Sequence, residues 1–270
     1  MKRTNGLTLI VFALAALSAF AQVFAAEPAP QQQQGDFRWQ EPLAAGRSIE
    51  IRGVNGNVEA VPAAGGEVEV VAVKRARRSN PDDVRIEVVR HGDGVTICAV
   101  YPNVEGKEPN TCAPDGGRMN VRDNDTSVNF TVRVPAGVRF KGRTVNGKVG
   151  AENLTADVDA STVNGGINVS TSGLASARTV NGSITVRMGR ADWSDGLEFK
   201  TVNGGIDLSV PGSLSAEVQA KTVNGDITTD FPMTVTGTVS RRRLSGTVGG
   251  GGRGLRLETV NGSVQLRRAS

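Results

Sequence analysis

The tetrapeptide Thr-Val-Asn-Gly recurs through the second half of this chain, at Thr144–Gly147, Thr162–Gly165, Thr179–Gly182, Thr201–Gly204, Thr222–Gly225 and Thr259–Gly262. A further Val-Asn-Gly, lacking the Thr, stands upstream at Val54–Gly56. Asn146, Asn164, Asn181, Asn203 and Asn224 are 18, 17, 22 and 21 residues apart, and 37 residues then separate Asn224 from Asn261. The last gap is about two periods, and Leu244-Ser245-Gly246 falls where a degenerate copy belongs. Self-similarity near 20 residues is the mark of stacked coils.

Each copy continues as polar-apolar alternation, as in Gly205-Ile206-Asp207-Leu208-Ser209-Val210. Period-two alternation rich in Val, Ile and Thr reads as strand. Asn-Gly tolerates positive φ and places a sharp bend between apolar residues. A hairpin meander is the local alternative, but it does not require the same four residues each time. Stacked coils do, because equivalent residues form ladders with a rise near 4.8 Å per coil. The strand before each Thr, as in Ala216-Glu217-Val218-Gln219-Ala220, turns Val218 and Ala220 inward. Strict continuation puts Thr in and the repeat Val out. Six exposed Val residues are costly, so a corner or bulge at Thr-Val is expected to reset the phase.

The first 25 residues read as a secretory signal peptide: Lys2 and Arg3, an apolar run from Leu7 to Phe20, and the small-residue site Val23-Phe24-Ala25. An uncleaved anchor is the alternative, since Leu7–Ala26 almost spans a bilayer. Residues 26–35, with Glu27-Pro28-Ala29-Pro30 and Gln31–Gln34, read as a disordered leader. No later segment is apolar enough to cross a membrane as a helix. In an exported chain the only two cysteines, Cys98 and Cys112, read as a disulfide. It would close a loop of about 15 residues, worth roughly 3 kcal/mol in the loop-entropy model. The spacing suits neither a metal nor a redox pair.

Residues 36–140 lack the tight repeat but remain strand-like. Glu67–Val73 alternates, and Val84–Val88 turns at His91–Gly94 and returns as Val95–Val100, a hairpin pattern. Ser127–Val134 is another strand. Open solenoids need capped ends. This region is therefore expected to cap the N-terminal end or form the first wider coils, with the solenoid proper over 141–270.

These features together resemble a bacterial family of exported β-strand-repeat proteins that are named as adhesins and carry a domain of unknown function. The resemblance rests on the apolar leader, the Thr-Val-Asn-Gly copies, and Val95-Thr96-Ile97-Cys98-Ala99-Val100-Tyr101-Pro102. It rests also on Gly117–Asp123 and Val132–Val138. It implies a β-solenoid in the cell envelope and brings no catalytic residues. Fold alone does not fix function.

Residues able to do chemistry are sparse. His91, the single histidine, lies in a Gly-rich turn with no nucleophile motif beside it. Asp157 and Asp159 share an outward strand face and are the best acid/base pair for a carbohydrate-active β-helix enzyme. Asp123-Asn124-Asp125-Thr126 has spaced oxygen ligands but lacks the Gly and distal Glu of an EF-hand loop, and reads as a turn. Gly249–Gly254 lacks a P-loop ending and reads as a loop. No cofactor and no metal site is expected.

The residues before the repeat Thr are Arg143, Ser161, Arg178, Lys200, Lys221 and Glu258. Stacked in register, Arg143, Arg178, Lys200 and Lys221 would form a cationic ladder able to bind an anionic envelope polymer. The adjacent Asp159, Glu198 and Gln219 make that face mixed in sign. Without Lys2 and Arg3 the 31 bases become 29 against 27 acids, so the mature chain is near neutral. Arg241-Arg242-Arg243 stands out as the strong basic cluster. Trp193 lies in the longest inter-coil loop and would point to a ligand if exposed; the alternative is a Trp folded over the core.

The reading is an all-β solenoid with an irregular β N-terminal cap and one disulfide, exported to periplasm or cell surface. It is a non-catalytic binding scaffold or adhesin. Its partner is an anionic envelope polymer, another envelope protein or a second copy of itself. A carbohydrate-active enzyme is the runner-up, marked by carboxylates with Arg or Lys in one cleft, and a self-assembling envelope element is the third reading.

Overall fold

Alternating strands and tight corners wind this chain into two long sheets packed face to face. The structure is a computed structural model that describes residues 36–235 and 240–269. The signal peptide expected over 1–25 and the leader over 26–35 lie outside those residues. Among the described residues no helix is long and apolar enough to cross a membrane.

One coil is a strand, a Thr-Val-Asn-Gly corner and a second strand. Arg139–Arg143 leads through Thr144–Gly147 into Val149–Leu154, and Val158–Ser161 through Thr162–Gly165 into Ile167–Thr171. Ala175–Arg178 pairs likewise with Ile184–Met188, and Leu197–Lys200 with Ile206–Val210. First strands stack on first strands and second on second, all parallel, with the register broken only by a shift between Ala151 and Leu154 among these pairs. The upstream Val54-Asn55-Gly56 is a corner of the same kind. Ser48–Arg52 and Val58–Pro62 flank it and pair parallel with Arg139–Arg143 and Val149–Leu154.

One layer further out, Gly94–Val100 and Ser127–Val134 continue the two sheets in parallel. Here residues 101–126 replace the four-residue corner. Antiparallel strands then close this end: Arg85–His91 on Gly94–Val100, Glu67–Arg75 on Ser127–Val134, and Asp36–Pro42 outermost. Antiparallel closure ends the parallel stack of coils at this end.

The other end departs from sequence order. Ala216–Lys221 and Ile227–Thr229, around Asn224, form the outermost coil. The C-terminal strands Gly254–Glu258 and Val264–Arg268, around Asn261, slot between that coil and the one around Asn203. Leu244-Ser245-Gly246 is not a degenerate rung. It lies in Arg243–Val248, which returns antiparallel along Ala216–Lys221. The 37-residue gap thus holds a return strand that covers the sheet edge and brings the chain back to fill the skipped level.

The core is the space between the sheets. Ile49, Ile51, Phe140, Ala160, Ala177, Phe199 and Leu257 of one sheet meet Val58, Val149, Ile167, Ile184, Leu208 and Val264 of the other, all fully or almost fully buried. Gly142 makes room for a large neighbour: a Cβ there would fall 2.9 Å from the Phe140 ring. Burying each such large side chain stabilises the fold by about 1.5–3 kcal/mol.

No bulge resets the phase at Thr-Val. The six repeat Thr residues are buried, while Val145, Val163, Val180, Val223 and Val260 are 38–45% exposed. Hydrogen bonding outweighs the hydrophobic cost. Each Thr hydroxyl donates to the glycine carbonyl of the neighbouring coil, at 2.8 Å for Thr201 to Gly182 and 2.9 Å for Thr179 to Gly165. A Val turned inward would leave that partly buried carbonyl without this donor.

Candidate functional site

The corners stack into a continuous strip. Asn55, Asn146, Asn164, Asn181, Asn203, Asn261 and Asn224 follow one another as parallel rungs. From Asn146 onward each side-chain Nδ2 donates to Oδ1 of the preceding rung at 2.7–2.8 Å. One amide hydrogen and one lone pair per interior rung remain free for another partner. The half-exposed Val row runs beside the Asn row. The glycines are needed less for positive φ than for close stacking: a Cβ on Gly165 would meet Gly147 O at 1.9 Å, and on Gly204 would meet Gly182 O at 2.1 Å.

Arg143, Arg178, Lys200 and Lys221 do project from one sheet face, but not as an uninterrupted cationic row. Insertion of the C-terminal coil places Glu258 between Lys200 and Lys221 in the register. Carboxylates also pair with the row. Arg143 reaches Glu50 at 3.1 Å and Asp159 at 3.2 Å, Arg178 reaches Glu198 at 3.1 Å, and Lys200 reaches Glu258 at 3.7 Å. Arg256 donates a hydrogen bond to Glu258 and holds its carboxyl below the usual range. Exposed pairs contribute little to stability, but they leave a face that is largely self-neutralised.

The densest cluster lies where the long loop folds back. Cys98 and Cys112 form the disulfide, with Cα atoms 5.7 Å apart. It ties the small hairpin Thr111–Ala113/Gly116–Arg118 to the sheet. The hairpin delivers Asp115 over the row, where Lys141 Nζ donates to its carboxylate at 2.8 Å. The Asp115 backbone N–H donates to Glu50 at 2.9 Å. Glu50 is 2% exposed and also accepts from Arg52, Thr96 and Arg143. His91 joins this network through Thr96 Oγ1 at 3.1 Å.

Carboxylates and bases do therefore meet here, as the enzyme alternative requires. Their chemistry points elsewhere. A general acid needs its pKa raised toward neutrality, whereas the hydrogen bond from Lys141 holds Asp115 below the usual carboxylate range. Asp157 and Asp159 do not act as a pair: Asp157 accepts the Leu174 N–H at 2.9 Å, while Asp159 binds Arg143.

Trp193 is not an exposed platform. It is 4% exposed, and its Nε1–H donates to Gly254 O at 3.0 Å. Arg253 Nε in turn donates to Trp193 O at 2.9 Å. The indole closes the core where the inserted C-terminal coil begins. Gly249–Gly252 forms the turn into that coil, with positive φ at Gly249, Gly251 and Gly252.

Asp125 is occupied by the protein itself. Its carboxylate accepts backbone N–H groups of Arg77, Arg78 and Ser79, at 2.9 Å for Ser79, and these bonds hold it below the usual range. This clamp lies in a depression of about 820 Å³ lined by Arg75, Arg77, Arg78, Asp123, Asn124 and Ser127. The sequence signal for it is Lys74-Arg75-Ala76-Arg77-Arg78, a basic run as dense as Arg241-Arg242-Arg243 but interrupted by Ala76. Among the described residues Arg77, Arg78, Arg241 and Arg242 make no ion pair.

No curated protein matches the chain. The fold is similar to that of a "putative cell adhesion protein" from Clostridium sporogenes, with TM-score 0.46, 9% identity, and coverage of 87% of this chain and 100% of that one. It is also similar to a "putative adhesin" from Bacteroides fragilis, with TM-score 0.31, 12% identity, and coverage of 87% and 98%. Residues 140–267, which hold all six Thr-Val-Asn-Gly copies, match the family model Toastrack DUF4097.

Proposed function

We propose that this protein is a non-catalytic binding scaffold of the cell envelope, exported before it folds and engaging its target through the outer surface of the solenoid. One observation carries the reading: seven Asn rungs form an unbroken, half-apolar strip along one corner. Solenoids use extended surfaces of this kind for binding. The Cys98–Cys112 disulfide and the apolar N-terminal run support an oxidising compartment, periplasm or cell surface. The names of the two structural neighbours are consistent with an adhesive role.

A carbohydrate-active enzyme stays as the second reading because of Glu59. Burial first, and then the nearby Glu152 carboxylate, raise its pKa, as a general acid requires. The mature protein should be tested against immobilised envelope glycans, lipopolysaccharide and envelope protein extracts, with reducing-sugar release read in parallel. Saturable binding without turnover supports the scaffold. Sugar release lost in Glu59→Gln, or no binding to any of these, overturns it.

A further inference from the structure

The Asn ladder has a basic cluster at each end. At the N-terminal end, Val128 N–H bonds Asn55 O at 2.7 Å, and the adjacent Ser127 pairs with Arg75 in the next strand. Ser127–Val134 is the layer beyond the first rung, so Arg75 at the end of Glu67–Arg75, with Arg77 and Arg78 after it, stands two layers beyond that rung. At the other end, Arg242 O accepts Thr222 N–H and Arg241 O accepts Ile227 N–H, both at 3.0 Å. Arg241–Arg243 therefore lies one layer beyond the last rung, and Arg242 and Arg243 line a second depression of about 320 Å³ with Lys221. Nine strand spacings separate the two clusters, roughly 43 Å.

The two ends differ from the cation row between them. Arg143, Arg178 and Lys200 are paired with carboxylates, whereas the exposed Arg77, Arg78, Arg241 and Arg242 have no carboxylate partner among the described residues. The Asp125 clamp fixes Arg77 and Arg78 by their backbone and leaves their guanidinium groups to the rim. Between the clusters the Val and Asn strip offers apolar contact and amide hydrogen bonds without charge.

We infer that the corner is a bipartite site for a linear phosphate-bearing polyol or glycan polymer, with phosphates held at Arg75–Arg78 and Arg241–Arg243 and uncharged backbone lying on the Val and Asn rows. The inference rests on the binding-scaffold reading and names its ligand. Guanidinium forks suit phosphate oxygens, and Asn amides suit hydroxyls. Engaging both ends with one chain makes the second contact intramolecular.

The test uses glycerol-phosphate oligomers, a trimer too short to span the ladder and a dodecamer long enough. The dodecamer should bind at least ~10-fold more tightly than the trimer, with affinity falling as salt rises. Arg77→Ala/Arg78→Ala and Arg241→Ala/Arg242→Ala should each lower dodecamer affinity to that of the trimer, at unchanged circular dichroism and melting temperature. Arg178→Ala/Lys200→Ala should leave it unchanged. Equal affinity of the two oligomers, or wild-type binding by the end variants, overturns the bipartite site. If the protein instead binds an envelope glycan or protein with wild-type affinity in the end variants, this inference fails and the scaffold reading stands. Absence of binding to any envelope component sinks both.

Discussion

Asn261 donates its side-chain amide to Oδ1 of Asn203 at 2.7 Å, across 58 residues of sequence. The next repeat after Asn203 in the chain, Asn224, sits on the far side of Asn261 instead, and donates to Asn261 Oδ1 at 2.7 Å. The last coil of the chain is therefore interior to the stack. Until it docks, the coil around Asn224 has no parallel neighbour. The C-terminal segment acts as a keystone for the whole end of the solenoid.

Loss of that keystone should unravel more than itself. Leu257 is fully buried in the inserted coil, and Leu257→Ala should cost about 2–5 kcal/mol, measured by urea unfolding. Protease cleavage in this variant should appear first between Pro211 and Arg253, while the coils around Asn146 and Asn164 stay protected. Uniform protection in the variant would show that the Asn224 coil holds without its neighbour.

Gly165 is set by stacking distance. Gly165→Ala puts a methyl group 1.9 Å from Gly147 O by ideal geometry. The coils must part locally, at a cost of about 1–3 kcal/mol or more. Gly65→Ala, at an open surface position with no atom within 4 Å, is the matched control and should be close to neutral. Paired denaturation curves decide the point.

Thr201 separates hydroxyl from shape. Thr201→Val keeps the volume and removes the bond to Gly182 O, and should destabilise by about 1 kcal/mol. Thr201→Ser keeps the donor and should retain that hydrogen-bond contribution while losing methyl packing. A Val variant as stable as wild type would mean that the hydroxyl does not decide why Thr, rather than Val, faces inward.

Acid should loosen the disulfide hairpin before the core. Asp115 has a depressed pKa in the fold, from the Lys141 hydrogen bond and then the nearby Arg charges. Its contribution is present above the ordinary carboxylate pKa of about 4 and is lost as pH falls through the lower folded value. Hydrogen exchange at residues 111–118 should accelerate over that window in wild type. In Asp115→Asn it should be fast already at neutral pH. Cys98→Ala/Cys112→Ala should have the larger effect, about 2–4 kcal/mol of stability.

The repeat made the coil architecture legible because each rung uses the same residues for the same contacts. The disulfide is legible because Cys98 and Cys112 are the only two cysteines of the sequence. The direction of Thr and Val is not legible in the sequence, because the acceptor that decides it, the glycine carbonyl of the neighbouring coil, is brought beside Thr only by stacking. The order of the last two coils was equally hidden. Six like tetrapeptides carry no mark of which neighbour each will choose, and Leu244-Ser245-Gly246 resembles a rung although it belongs to an antiparallel return strand. The cation row was visible, but its pairing with Glu50, Asp115 and Glu258 depends on the folded loop and the inserted coil. The Lys74–Arg78 run was open to view, yet its place at the end of the ladder comes only from the pairing of Arg75 with Ser127.

The rung order, on which the continuous corner depends, is tested most directly by engineered cysteines. Glu198 and Arg256 are registered partners on adjacent parallel strands, whereas Gln219 is registered with Arg256 on the opposite side. Under mild oxidation Glu198→Cys/Arg256→Cys should form an intramolecular disulfide, and Glu198→Cys/Gln219→Cys, about two strand spacings or roughly 9.6 Å apart, should not. Ready cross-linking of the second pair with none in the first would place the coils in sequence order and contradict the inserted C-terminal coil.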